Sequence, residues 1–106
     1  MTQGKRLAVA ILLAASVAMP AFAAGAGEAD YKAKCASCHG ADGLAATPMG
    51  KMFKIASFKD AAQVKLTDAE MIASTTKGKG KMPAYDGKLT EAQIKDVIAY
   101  IRTLQK

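Results

Sequence analysis

The chain has 106 residues, with 15 Lys+Arg against 9 Asp+Glu for a net charge of +6, 51% hydrophobic residues, no Trp, two Cys and one His. That length admits one small domain, and a core so small is marginal without help from a disulfide, metal or cofactor. The basic residues are scattered and form no nucleic-acid module, and three Cys and His residues are too few for a closed structural zinc site.

The first element in chain order is a targeting segment. Lys5 and Arg6 precede an apolar run from Leu7 to Met19 that only Ser16 interrupts, and Pro20-Ala21-Phe22-Ala23 ends in a small-x-small pattern. This reads as a secretory signal peptide over residues 1–23. The run of 13 residues falls short of the roughly 20 needed for a membrane span, so no stable membrane insertion is expected after cleavage. The mature chain would then be residues 24–106, carrying 13 basic against 9 acidic residues, or +4. A modest positive charge favours encounter with acidic surfaces.

A helix expected over roughly 28–38 leads into Cys35-Ala36-Ser37-Cys38-His39, which holds both cysteines and the single histidine. C-x-x-C-H is the attachment signature of a c-type haem. Two thiols three positions apart on a helical turn can bond the two vinyl groups of one porphyrin, and the imidazole that follows can ligate its iron. The other uses of such a motif fit less well. A disulfide here would close a very small loop and constrain the unfolded chain little. A thioredoxin-like pair belongs beside a strand, and no strand pattern is present.

Residues 40–57 carry Gly43, Pro48 and Gly50 and read as irregular, with a short helix expected around 58–64. Thr67-Asp68-Ala69-Glu70 is a capping box flanked by Leu66 and Met71 as a hydrophobic staple. The helix it opens is expected to end near Lys77, with Gly78 as a left-handed C-cap. A loop over 77–87 follows. Thr90-Glu91-Ala92-Gln93 is a second capping box, stapled by Leu89 and Ile94, and Ile94, Val97, Ile98, Ile101 and Leu104 recur at helical spacing. No alternating run is long enough for a strand, so the fold class is all-α, three to five helices around one haem.

The second axial position cannot go to a histidine, because there is no other. Of the four mature-chain methionines, Met49 and Met52 follow His39 closely, and Met71 occupies a staple position. Met82 stands in the loop between two helices and precedes Pro83, which stiffens it. Met82 is the candidate ligand; the competing reading is an apolar gap-filler.

With these features the chain resembles the class I cytochromes c, in their small bacterial periplasmic form. The resemblance covers residues 24–106 and rests on Cys35, Cys38 and His39 near the N-terminus and on Lys81-Met82-Pro83-Ala84-Tyr85 in the C-terminal half. It implies one covalent haem c on Cys35 and Cys38, with His39 and Met82 as axial iron ligands. It also implies that the first and last helices meet through Gly27 and Tyr31 on one and Val97 and Tyr100 on the other. Pro48 becomes the candidate acceptor for the His39 ring N–H. The absence of Trp removes one familiar partner of a haem propionate.

A haem closed on both faces leaves iron no site for substrate. The resemblance therefore implies a soluble one-electron carrier, not an enzyme, working between redox proteins with acidic docking surfaces in the periplasm of a Gram-negative bacterium. Lys77, Lys79 and Lys81 would form part of a basic rim beside Met82. The alternatives are a haem subunit of a larger oxidoreductase and a ligand-binding or peroxidatic haem protein from which Met82 dissociates.

Overall fold

The computed structural model describes the backbone from Met19 and the side chains from Ala24, both through to Lys106. The expected signal peptide, residues 1–23, lies outside the described residues except for the backbone of its last five. Six helical segments follow in order: α1 (Met19–Lys34), α2 (Ala36–His39), α3 (Pro48–Met52), α4 (Ala61–Val64), α5 (Asp68–Lys77) and α6 (Glu91–Leu104). The described residues form no strands, only two isolated β-bridges, Lys79 to Met82 and Asp86 to Leu89. The class is all-α, as the periodicity implies.

Both capping boxes form. The Thr90 hydroxyl accepts from the Gln93 amide while the Gln93 side chain accepts from the Thr90 amide, and Thr67 and Glu70 do the same for α5. Each exchange satisfies donors that a helix start otherwise leaves unpaired. Ile94, Val97, Ile98 and Ile101 are all buried, so the apolar stripe of α6 is the wall on which the fold is built. The staple residues Leu89 and Met71 are buried too.

The α1 helix provides the largest partner for that stripe. Its contact point is Gly27, where a Cβ would overlap the Asp96 carbonyl and the Val97 amide. Without a side chain there, the two backbones approach directly, as the resemblance predicts. One turn later Tyr31 is fully buried, its ring centroid 5.2 Å from that of Tyr100 and 6.4 Å from that of Phe58. Tyr31, Phe58, Met71, Val97, Ile98 and Ile101 form one core cluster with Cys35.

Three local details differ from the sequence expectations. The helix expected over 28–38 is interrupted at Cys35, and the motif occupies its own turn, α2, closed by Gly40. The stretch 40–57 contains α3, opened by Thr47 as N-cap and Pro48 at the first helical position. That pairing is a helix-start signal in its own right. Gly78 ends α5 with φ +78°, on the left-handed side that glycine permits, but its ψ of 168° is extended and not helical. A Cβ there would meet the Ala84 amide and the Met82 carbonyl at 2.8 Å, so the returning loop leaves space only for glycine.

Candidate haem site

The motif turn is fixed by its backbone and by three hydroxyls. The Cys35 amide donates to the Tyr31 carbonyl at 2.8 Å and the His39 amide to the Cys35 carbonyl at 2.9 Å, which continues the helical path of α1 into α2. The Tyr31 hydroxyl donates to the Gly40 carbonyl at 2.6 Å, the Thr47 hydroxyl to the Cys38 carbonyl at 2.8 Å and the Tyr85 hydroxyl to the Lys34 carbonyl at 2.9 Å. Thr47 also accepts from the Gly50 amide at 2.9 Å, so the residue that caps α3 ties it to the motif.

His39 lies flat against Phe58, with ring centroids 4.6 Å apart and planes 16° from parallel. Phe58 is itself held: its amide donates to the Gly43 carbonyl and its carbonyl accepts from the Gln105 side chain at 3.0 Å. Gln105 in turn accepts from Arg102, whose guanidinium also reaches Asp68 and the Leu66 carbonyl. The imidazole orientation is thereby tied to the ends of α5 and α6. Burial pushes the His39 pKa down, which favours the neutral ring that can bind a metal.

These residues face a cavity of about 530 Å³, within the range of cofactor sites. Cys35, Cys38, His39 and Met82 all line it, although Met82 comes from a loop 43 residues after His39. Its apolar wall includes Phe53, Phe58, Leu66, Met71, Val97 and Ile98. Met71 shares the cavity but is a buried α5 core residue; Met49 and Met52 are exposed and contribute nothing to the wall. Lys79 and Lys81 line the site and Lys77 does not, while Lys34 and Lys54 join them from separate segments.

The donor set fits a covalent haem. Both thiols are free, and burial raises the Cys35 pKa to about 11, opposite to what a thiolate redox pair requires. The buried Nδ1 of His39 has no hydrogen-bond partner among the described residues. The Pro48 carbonyl therefore does not accept from it here; Pro48 serves instead as the first residue of α3. Phe53, Phe58, Lys34, Lys54 and Tyr85 also line the wall, the first four without any motif to announce them. Only the Lys81-to-Tyr85 string gave a local hint of the last.

Comparison with known proteins agrees with this geometry. The sequence model for cytochrome C oxidase, cbb3-type, subunit III matches residues 22–101. The chain is 37% identical over 109 residues to cytochrome c6 of Picosynechococcus sp., covering 92% of this chain and 91% of that one. It is 38% identical over 87 residues to cytochrome c-555 of Chlorobaculum tepidum, covering 76% of each. Among solved structures it is similar to the KustC0563 c-type cytochrome, with a TM-score of 0.69 and 30% identity over 76% of this chain and 98% of that one. The chain belongs to the class I cytochrome c family and is an electron-transfer protein with one covalently attached haem c, not an enzyme.

Proposed function

We propose that the protein is a soluble periplasmic one-electron carrier whose haem is attached through Cys35 and Cys38 and ligated by His39 and Met82. The observation that carries this reading is the meeting of all four residues in one cavity wall. Haem c, when bound, supplies the one-electron iron couple. The chain's own residues do the rest. Cys35 and Cys38 fix the group covalently on the α2 turn. Stacking on Phe58 holds the His39 ring, and its neutral form offers nitrogen to iron. Met82 offers a thioether, which raises the reduction potential. The apolar wall excludes water and limits reorganisation when charge changes.

Residues 1–23 act in this reading as a signal peptide, cleaved to leave residues 24–106. No helix among the described residues is long and apolar enough to cross a membrane. Lys34, Lys54, Lys79 and Lys81 line the cavity, and no Asp or Glu does, which supports partners with acidic docking surfaces.

The test is spectroscopic. Met82→Ala is expected to remove the sulfur-to-iron charge-transfer band of the oxidised protein and to open the iron to carbon monoxide. Met71→Leu is expected to retain the band. Persistence of the band in Met82→Ala overturns the ligand assignment.

A second reading has its own support: the matching family is described as a subunit of a cbb3-type oxidase. A haem subunit would copurify with a larger oxidoreductase under mild conditions, whereas a carrier is recovered alone.

A further inference from the structure

The loop that bears Met82 is anchored twice to its own side of the molecule. The Lys79 amide donates to the Met82 carbonyl at 3.0 Å and the Met82 amide to the Lys79 carbonyl at 2.9 Å, closing a tight turn. Further on, the Tyr85 amide donates to the Thr75 carbonyl at 3.0 Å and the Asp86 amide to the Thr76 carbonyl at 3.1 Å. Those two acceptors lie in the last turn of α5, whose carbonyls have no intrahelical donors. All four bonds hold the loop to itself or to α5. None reaches the segment that carries Cys35, Cys38 and His39.

Tyr85 does reach it. The residue lines the cavity, and its hydroxyl donates to the Lys34 carbonyl, 51 residues away, at the residue just before Cys35. Lys34 ends α1, so its carbonyl is also one that a helix leaves free. One side chain thus spans from the methionine loop to the thiol-bearing segment.

We propose that Tyr85 is a positioning residue for Met82: its hydroxyl latches the loop to the carbonyl before Cys35 and so keeps the methionine sulfur at its post. The latch rests on the reading that Met82 ligates iron. A loop held only by α5 can swing as a unit with its turn intact. The Tyr85 bond opposes that swing, because opening must break it. A competing ligand binds only the open form, so its apparent affinity scales with the open population.

The experiment uses oxidised holoprotein titrated with imidazole and followed by loss of the sulfur-to-iron band. Tyr85→Phe keeps the ring and removes only the hydroxyl. A surface hydrogen bond of ordinary strength predicts an imidazole affinity about three- to tenfold higher than in the wild type. Gln93→Ala, which breaks the α6 capping box and removes none of the loop's hydrogen bonds named above, controls for loss of global stability and is expected to bind imidazole as the wild type does. Equal affinities in Tyr85→Phe and wild type overturn the latch. So does an equal rise in Tyr85→Phe and Gln93→Ala, because the effect would then be one of stability alone. A wild-type protein without the sulfur band overturns the Met82 assignment instead, a distinguishable failure.

Discussion

Gly27 stands in α1 without a side chain because none would fit between it and the Asp96 carbonyl. Two effects of opposite sign decide what Gly27→Ala does. Alanine favours a helix interior over glycine by about 1 kcal/mol. The added methyl must also push two backbones apart, and overpacking of this kind costs about 3 kcal/mol where the neighbour cannot yield. The clash is with main-chain atoms on α6, so the cost wins. Denaturant unfolding of the haem-bound variant is expected to show a net loss of about 2 kcal/mol. Equal or greater stability would mean that α1 and α6 separate freely. The sequence carries this residue only through the family pattern, since a lone glycine says nothing of what lies opposite. The motif residues Cys35, Cys38 and His39 are different: their chemistry is complete within five neighbours. Phe58, Lys34 and Tyr85 are not legible in that way. Their roles exist only because distant segments meet, Phe58 on the His39 ring and Tyr85 on the Lys34 carbonyl.

At the scale of the element, α5 and α6 begin with the same device built from different chemistry. Glu70 accepts from the Thr67 amide and hydroxyl, whereas Gln93 accepts from the Thr90 amide. Only the α5 box can titrate. The bonds from Thr67 lower the Glu70 pKa below its ordinary 4.5. A carboxylate lowered in the folded state adds stability that is fully present above the unfolded value and lost as pH falls through the folded one. Glu70→Gln would give α5 the chemistry α6 already has. The wild type is therefore expected to lose more stability than Glu70→Gln between about pH 6 and about pH 3, measured by urea unfolding. Parallel losses would show that the exposed box contributes nothing measurable. Both boxes were legible because capping is local, and so was the buried stripe of α6. The α3 helix is not legible in the same way although Thr47 and Pro48 mark its start, because Gly50 and the short length argue for a loop. The break at Cys35 leaves no sequence sign at all; there the Cys38 amide turns to the Cys35 carbonyl and the Lys34 carbonyl is left to the Tyr85 hydroxyl.

At the scale of the whole molecule, core and site are one body. Cys35, Phe58, Met71, Val97, Ile98 and Ile101 belong to the core cluster and also line the cavity. The group that fills the cavity is thus part of what holds the helices together. The polar side of the same cavity sets how the molecule meets others. Lys34 and Lys54 come from two earlier segments to stand with Lys79 and Lys81, although the sequence suggests only the cluster at 77–81. Clustered charge of one sign accelerates encounter with an opposite charge, most strongly at low salt. Hexacyanoferrate(III), a small anionic oxidant, makes the effect measurable without a named partner. Lys79→Glu combined with Lys81→Glu changes the local charge by four while leaving Met82 and Tyr85 in place. Oxidation of the reduced double variant is expected to slow roughly tenfold at low ionic strength. Its rate should also vary less with salt, because screening over about 10 Å at 0.1 M then has less attraction to remove. Both sides of the comparison matter. A slower rate with unchanged salt dependence would point to altered iron ligation, and an unchanged rate at low salt would mean that the basic wall plays no part in how electrons leave the molecule.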